Sequence, residues 1–447
     1  MNITQGVAEF ALKTTYEDFD KETKKWAKRI LLSSVGMTLA GAKTSSGKRV
    51  ISYVKKCPAP EEAGIFGAGI RTSAGYAAIA NGTTSHSTEL EDDAPPDLAT
   101  DVGYFPAVFA MGEKLHVSGK EIIESLVIAF DIGAKLTTAT TANIANRGNM
   151  GPYFCTISAA AISSKMLKLG IKKATMAVSL AVSHCNWFLW FQGGSDAHFY
   201  EQGIAMRNGI ESAMLAKHGI TGSPDVLDVY CRNLIGASEE QVIDLKLGEP
   251  YRIKDIGIKK YPCCYLEMNY IDSFVDLIKE HDINAGDVKS IQVDVAPVTT
   301  QVLRFLHPKD EMEARFSLTH SIACSFLDKK PWLESYTTKR ANDPEVKTFR
   351  DKIKMVVHPE WAIPESPLGA EMPIIVKMKD GTEYKRTSRK PTDPIVVSDE
   401  EVMDKYMKCA TTVLSRSRAE QIAEKIMSLE KVADISELMS WLTFPDK

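Results

Sequence analysis

Residues Val288 to Val295 read VKSIQVDV. Apolar and polar side chains interleave there, as a half-buried strand requires. What comes before is different. Asp20 to Leu32 (DKETKKWAKRILL) sets Trp26, Ile30 and Leu31 on one helical face, and Gly36 and Gly41 punctuate the small residues that follow. Ser118-Gly119-Lys120-Glu121 is a capping box opening a helix with Ile122, Leu126, Val127 and Phe130 inward. Thr156 to Leu169 carries Ala159, Ala160 and Ala161, small enough for close helix approach; Ala174 to Cys185 and Ile204 to Lys217 continue the period. A run of helices with little strand signal predicts an all-α domain.

After Pro262 the pattern changes. Met372 to Met378, then Asp380-Gly381, then Thr382 to Arg386 reads as a hairpin. Helical pieces are expected near Ala314 to Leu327 and Pro344 to Ile353. Pro391-Thr392-Asp393-Pro394 breaks the chain, and Ser398-Asp399-Glu400-Glu401 opens a final helical stretch expected to pack back on the first domain. The expected fold class is therefore multidomain, α and α+β. A large all-α helical domain spans residues 1–262 and 395–447, and a smaller α+β domain spans 263–394.

Composition bounds the function. The chain has 447 residues, 54 Lys+Arg against 58 Asp+Glu and a net charge of -4. This balance argues against a nucleic-acid partner, which needs a basic surface. No segment has the length and purity of a membrane span, and the N-terminus has no basic and apolar leader pattern. With 8 Cys and no export signal, reduced thiols and a cytoplasmic location are expected. There is no Gly-Lys-Ser/Thr loop, no His-Glu-x-x-His, no Cys-x-x-Cys and no Gly-x-Ser-x-Gly, so no metal or cofactor is expected. Gly64-Ile65-Phe66-Gly67-Ala68-Gly69 lacks dinucleotide spacing and reads as a turn.

The order of segments resembles the MmgE/PrpD family, which includes dehydratases, a decarboxylase and an epimerase of small carboxylic acids. Its carriers are Asn81-Gly82-Thr83-Thr84-Ser85-His86-Ser87 leading to Glu89-Leu90-Glu91-Asp92-Asp93, then Pro106-Ala107-Val108 and Ser118-Gly119-Lys120-Glu121. Arg207-Asn208-Gly209-Ile210-Glu211, Lys259-Lys260-Tyr261-Pro262-Cys263-Cys264, Glu313-Ala314-Arg315-Phe316-Ser317 and Asp393-Pro394 complete the set. The resemblance implies a helical body, a smaller α+β lid, a cofactor-free site between them and a homodimer. The shared chemistry is proton removal beside a carboxylate. It needs a base, an acid at the leaving group, and cations or N–H donors for the substrate's carboxylates.

Packed carboxylates raise one another's pKa, so the acidic run is a candidate acid–base site, with Asp92 first and Glu89 second; a solvated loop is the alternative. His86 reads as helix packing. Departures from the family pattern follow. No histidine stands in Asp97-Leu98-Ala99-Thr100-Asp101, and Asn149-Met150 replaces a His-Pro pair. His198 stands where a lysine is usual, and His320 where a tyrosine is. His198 and His320 are thus candidate proton-transfer groups, or core histidines. Lys259 is expected to hold a carboxylate. Arg315 is an anion clamp or a structural ion-pair partner. Fewer cations argue against a tricarboxylate substrate. Trp187-Phe188-Leu189-Trp190-Phe191 suits an apolar or aromatic portion of the acid, or packs a helix. The expected substrate-binding set is Glu89, Asn149, Trp187, Lys259 and Arg315. Three readings follow: a cofactor-independent lyase, of the dehydratase or hydratase type; an epimerase or isomerase using two bases; and a degenerate homologue that only binds a ligand.

Overall fold

The computed structural model describes residues 2–94, 99–145, 154–185, 192–235, 245–361, 372–389 and 395–444. The chain divides into two compact units. The first comprises Met1–Leu189, Phe199–Ile258 and Val396–Lys447; the second comprises Trp190–His198 and Lys259–Ile395. The second thus takes in His198 and Lys259 as well as the strand-bearing region.

The first unit is helical. Its long helices are Lys21–Gly41, Gly119–Ala145 and Asp196–Lys217, the last beginning in residues grouped with the second unit. Asp20 starts the first of these, its carboxylate accepting from the Thr23 N–H at 2.6 Å. The helix runs through Gly36 rather than stopping at the small residues, because those residues are its packing face. An added Cβ on Gly36 would lie 3.1 Å from Tyr406, and one on Gly41 would lie 1.8 Å from the Thr84 carbonyl oxygen. Cys155–Met166 is buried on nearly every side, as its alanines and serines allow. The Ser118 capping box forms: its N–H meets Glu121 Oε2 at 2.7 Å and its hydroxyl accepts from the Glu121 N–H at 3.4 Å.

The glycine-rich stretch after Ala63 is the tip of a small hairpin, Ala63–Ile65 with Ile70–Thr72. Gly67 and Gly69 take φ of 68° and 66°, and their N–H groups bond the carbonyls of Leu442 and Thr443, each at 2.8 Å. The C-terminal segment therefore packs on the first unit. Its helix Asp399–Ala410 opens with the Ser398 capping box and lies along Lys21–Gly41. Arg29 donates to the Val397 carbonyl at 2.5 Å and pairs with Asp399 at 3.1 Å.

The second unit holds a four-stranded sheet in the order Ile353–Val357, Val288–Val295, Met372–Met378, Glu383–Ser388. The last two strands form the expected hairpin. Val288–Val295 carries a register shift between Val288 and Ser290. This bulge explains how Val288, Ile291, Val293 and Val295 are all buried although their spacing breaks strict alternation. Ile353–Val357 pairs parallel to Val288–Val295. The helix expected to reach Ile353 ends at Arg350, because the run Ile353 to Val357 adds its strand edge to the sheet instead. The other expected helix divides in two, Glu311–Ala314 and Leu318–Leu327, with the Ser317 hydroxyl capping the second by accepting from the His320 N–H at 3.3 Å. Phe274, Leu277, Ile322, Phe326 and Phe349 pack with the sheet's inward residues into one core. No helix among the described residues is long and apolar enough to cross a membrane.

Candidate acid–base site

The acidic run sits where a helix ends. Helix Ala74–His86 stops after His86, and Glu89 turns the chain with φ of 54°, its N–H bonding the His86 carbonyl at 3.0 Å. A left-handed glutamate is a strained residue, held because its surroundings fix it. Asp93–Ala94 then pairs antiparallel with Ala99–Thr100, and Asp93 exchanges backbone bonds with Gly257 at 3.1 and 2.8 Å.

This narrow ribbon brings Asp92 and Asp101 together at its neck. The Asp92 N–H donates to Asp101 Oδ1 at 2.9 Å, and the Asp101 N–H donates to the Asp92 carbonyl at 3.1 Å. Both aspartates are 0% exposed. Lys405, on helix Asp399–Ala410 and also buried, donates to Asp92 Oδ1 at 2.6 Å and to the Leu90 carbonyl at 2.7 Å. Asp101 Oδ2 meets the Ser34 hydroxyl. Burial first, and the Asp92 charge second, push the Asp101 carboxyl well above the usual carboxylate range. Two carboxyls and one ammonium thus share a buried volume, which favours one bound proton.

Around this pair lie the remaining acidic residues. Glu89, Glu91 and Asp93 are buried, so the solvated-loop alternative does not describe this run. His86 is buried with Nε2 3.6 Å from Glu89 Oε1 and 3.8 Å from Glu91 Oε1, its ring edge-on to Phe199 at 5.5 Å.

Lys259, Arg315, His198 and His320 belong to the second unit. Lys259 is 1% exposed and Glu267 0%, and both act on the Cys263 thiol. Burial and the Glu267 charge push that thiol well up, while Lys259 opposes them. Cys263 reaches Tyr336, whose hydroxyl lies 3.0 Å from Ser321 Oγ. The His320 ring stands edge-on to Tyr336 at 5.7 Å. His320 Nε2 lies 2.8 Å from the Ser335 carbonyl oxygen, which only accepts, so Nε2 carries the proton. Nδ1 faces the Arg350 guanidinium at 3.4 Å. Burial, with Arg350 beside it, lowers the His320 pKa to about 4. Both nitrogens are thus occupied inside the unit. His198 is half-buried and edge-on to Phe316 at 5.1 Å. Arg315 is buried, donates to the Glu311 carbonyl at 2.9 Å, and accepts through its own carbonyl from the Cys264 N–H at 2.9 Å. Asn149 and Trp187 lie outside the described residues.

Sequence reasoning passed over Lys405, Asp101 and Ser34. A signal for Lys405 existed: Val402, Lys405, Tyr406 and Cys409 form an i, i+3, i+4, i+7 stripe, and all four are buried.

A helical unit assembled from separated chain segments, with a buried carboxyl pair on a helix-terminal loop, defines the type of protein. Family models name it. The MmgE/PrpD N-terminal domain matches residues 5–230 and the MmgE/PrpD C-terminal domain matches residues 261–431. The chain belongs to the MmgE/PrpD family. It is 24% identical to a cis-aconitate decarboxylase-like protein, oryM, of Aspergillus oryzae, over 99% of this chain and 97% of that protein. Cis-aconitate decarboxylase of Mus musculus is 24% identical over 94% of this chain and 89% of its own length. The Homo sapiens enzyme of that name is 25% identical over 94% and 90%.

Proposed function

We propose that this chain is a lyase acting on a small carboxylic acid. It removes a proton from the carbon beside a carboxylate and expels water or carbon dioxide. The observation that carries this reading is the buried Asp92 carboxylate, fixed by Lys405 on the acidic loop that the family resemblance singles out. Family membership and the decarboxylase relatives support the same reaction class.

In this proposal Asp92 and His198 handle protons, with Glu89 beside Asp92 in the acidic run. Lys259 and Arg315 supply positive charge for the substrate's carboxylates, and Asn149 and Trp187 contact the rest of it. His320 is given a positioning role, because its nitrogens are engaged by Ser335 and Arg350. That removes one of the two bases an epimerase would need, so the lyase reading is preferred. The relatives are named for cis-aconitate, a tricarboxylate. With a histidine where the family usually has a lysine, a less charged acid with an apolar portion is the better fit.

The test is a panel of cis-aconitate and mono- and dicarboxylic unsaturated or β-hydroxy acids, followed by proton NMR in deuterated water. New alkene signals, water addition or carbon dioxide loss on one acid are expected. Deuterium exchange without net change would establish the epimerase instead. Binding of an acid with no reaction across the panel would mark a ligand-binding homologue.

A further inference from the structure

We propose that Lys405 is a positioning residue of the acid–base site: its ammonium holds Asp92 as the ionised member of the Asp92–Asp101 carboxyl pair and leaves the shared proton on Asp101. This rests on the reading that Asp92 transfers protons, and adds a group from the far end of the chain.

The position of the one ammonium carries the argument. Lys405 donates to Asp92 Oδ1 at 2.6 Å, and both residues are buried. Asp101, equally buried, has the Asp92 N–H at Oδ1 and the Ser34 hydroxyl at Oδ2, both neutral groups. With one buried cation beside two buried carboxyls, the one the cation does not bond takes the proton. Asp101 is then the neutral acid, and Lys405 balances the charge on Asp92.

Placement supports the assignment. Lys405 sits on the inward stripe of its helix, where an apolar residue would be expected, and burying a lysine is costly unless it meets a carboxylate. The groups around the pair come from three elements. Helix Lys21–Gly41 brings the hydroxyl of Ser34. The end of helix Ala74–His86 and its loop bring His86, Glu89, Glu91 and Asp93. Helix Asp399–Ala410 brings Lys405 as the cation bonded to Asp92. By holding Asp92 Oδ1 and the Leu90 carbonyl together, Lys405 fixes both the charge and the direction of the carboxylate. A loss of that alignment costs roughly a hundredfold in rate.

The test uses the full chain with isotope-labelled aspartyl carboxyl carbons, titrated by NMR. One carboxyl should keep its protonated shift at neutral pH, and Asp101→Asn should remove that signal. In Lys405→Met the Asp92 carboxyl signal at neutral pH should move toward the protonated shift, and Lys405→Arg should restore much of the difference. These readouts need no substrate, so they stand even if the lyase reading fails. Once a substrate is known, Lys405→Met should lower kcat about a hundredfold with little change in KM. An unmoved Asp92 signal in Lys405→Met, or a protonated signal that survives Asp101→Asn, overturns the proposal. If Lys405→Met does not fold, the double variant Asp92→Asn/Lys405→Met, with both charges removed, is expected to fold; failure to recover any of the loss also overturns it.

Discussion

At the scale of residues, Asp92 and Asp101 share a residue type and a neighbourhood but not a state. Asparagine mimics a neutral acid at position 101: its oxygen can accept from the Asp92 N–H, and its amide lies beside the Ser34 hydroxyl, which can accept from it. Asp101→Asn is therefore expected to cost less than about 1 kcal/mol. Asp92→Asn strands a buried ammonium and is expected to cost about 3–5 kcal/mol. Denaturant unfolding of both variants at neutral pH checks the contrast. His320 makes a separate prediction. Its folded pKa of about 4 lies below the ordinary 6.5, so the unfolded chain binds the extra proton between those values. Its contribution is fully present above pH 6.5 and is lost as pH falls toward 4. The loss is on the order of 3 kcal/mol. Stability measured against pH should fall across that window in the wild type and less in His320→Gln.

Elements were legible from sequence in proportion to how local their causes are. The Ser118 and Ser398 capping boxes, the Met372–Met378 hairpin and the turn at Gly67 and Gly69 depend on residues a few positions apart, and all are present. The strand Ile353–Val357 was missed because its partner, Val288–Val295, lies far back in the chain and parallel to it. Lys405 was missed for the same reason: 313 residues separate it from Asp92. In its helix sequence a lysine beside Asp404 looks solvated until the buried stripe is traced. Gly41 shows how an element can be set by its neighbour. It ends its helix against the Thr84 backbone, which cannot move like a side-chain tip. With an added Cβ 1.8 Å from the Thr84 oxygen, Gly41→Ala is expected to destabilise by about 3 kcal/mol or more. A thermal melt of the variant, against an exposed Gly170→Ala control that meets nothing within 4 Å, tests this.

At the scale of the whole molecule, the first unit is discontinuous. Residues 259–395 are inserted between its body and its last segment. The composition signals that separate the units sit in the chain before and after Pro262, so two units could be anticipated. The role of the last segment in completing the acid–base site could not, because it depends on three-dimensional closure. A chain ending at Ile395 lacks Lys405, Tyr406 and the partners of the Ala63–Thr72 hairpin. It is expected to lose the cooperative unfolding transition of the first unit. A separate peptide of residues 396–447 should restore the transition on mixing, read by calorimetry.

The same connectivity imposes an order on biosynthesis. Translation delivers Asp92 and Asp101 early, but their counterion leaves the ribosome only after residues 259–395 have been made. The nascent chain thus carries this acidic cluster without its lysine through most of its elongation, and Asp92 meets its counterion only when the last segment docks.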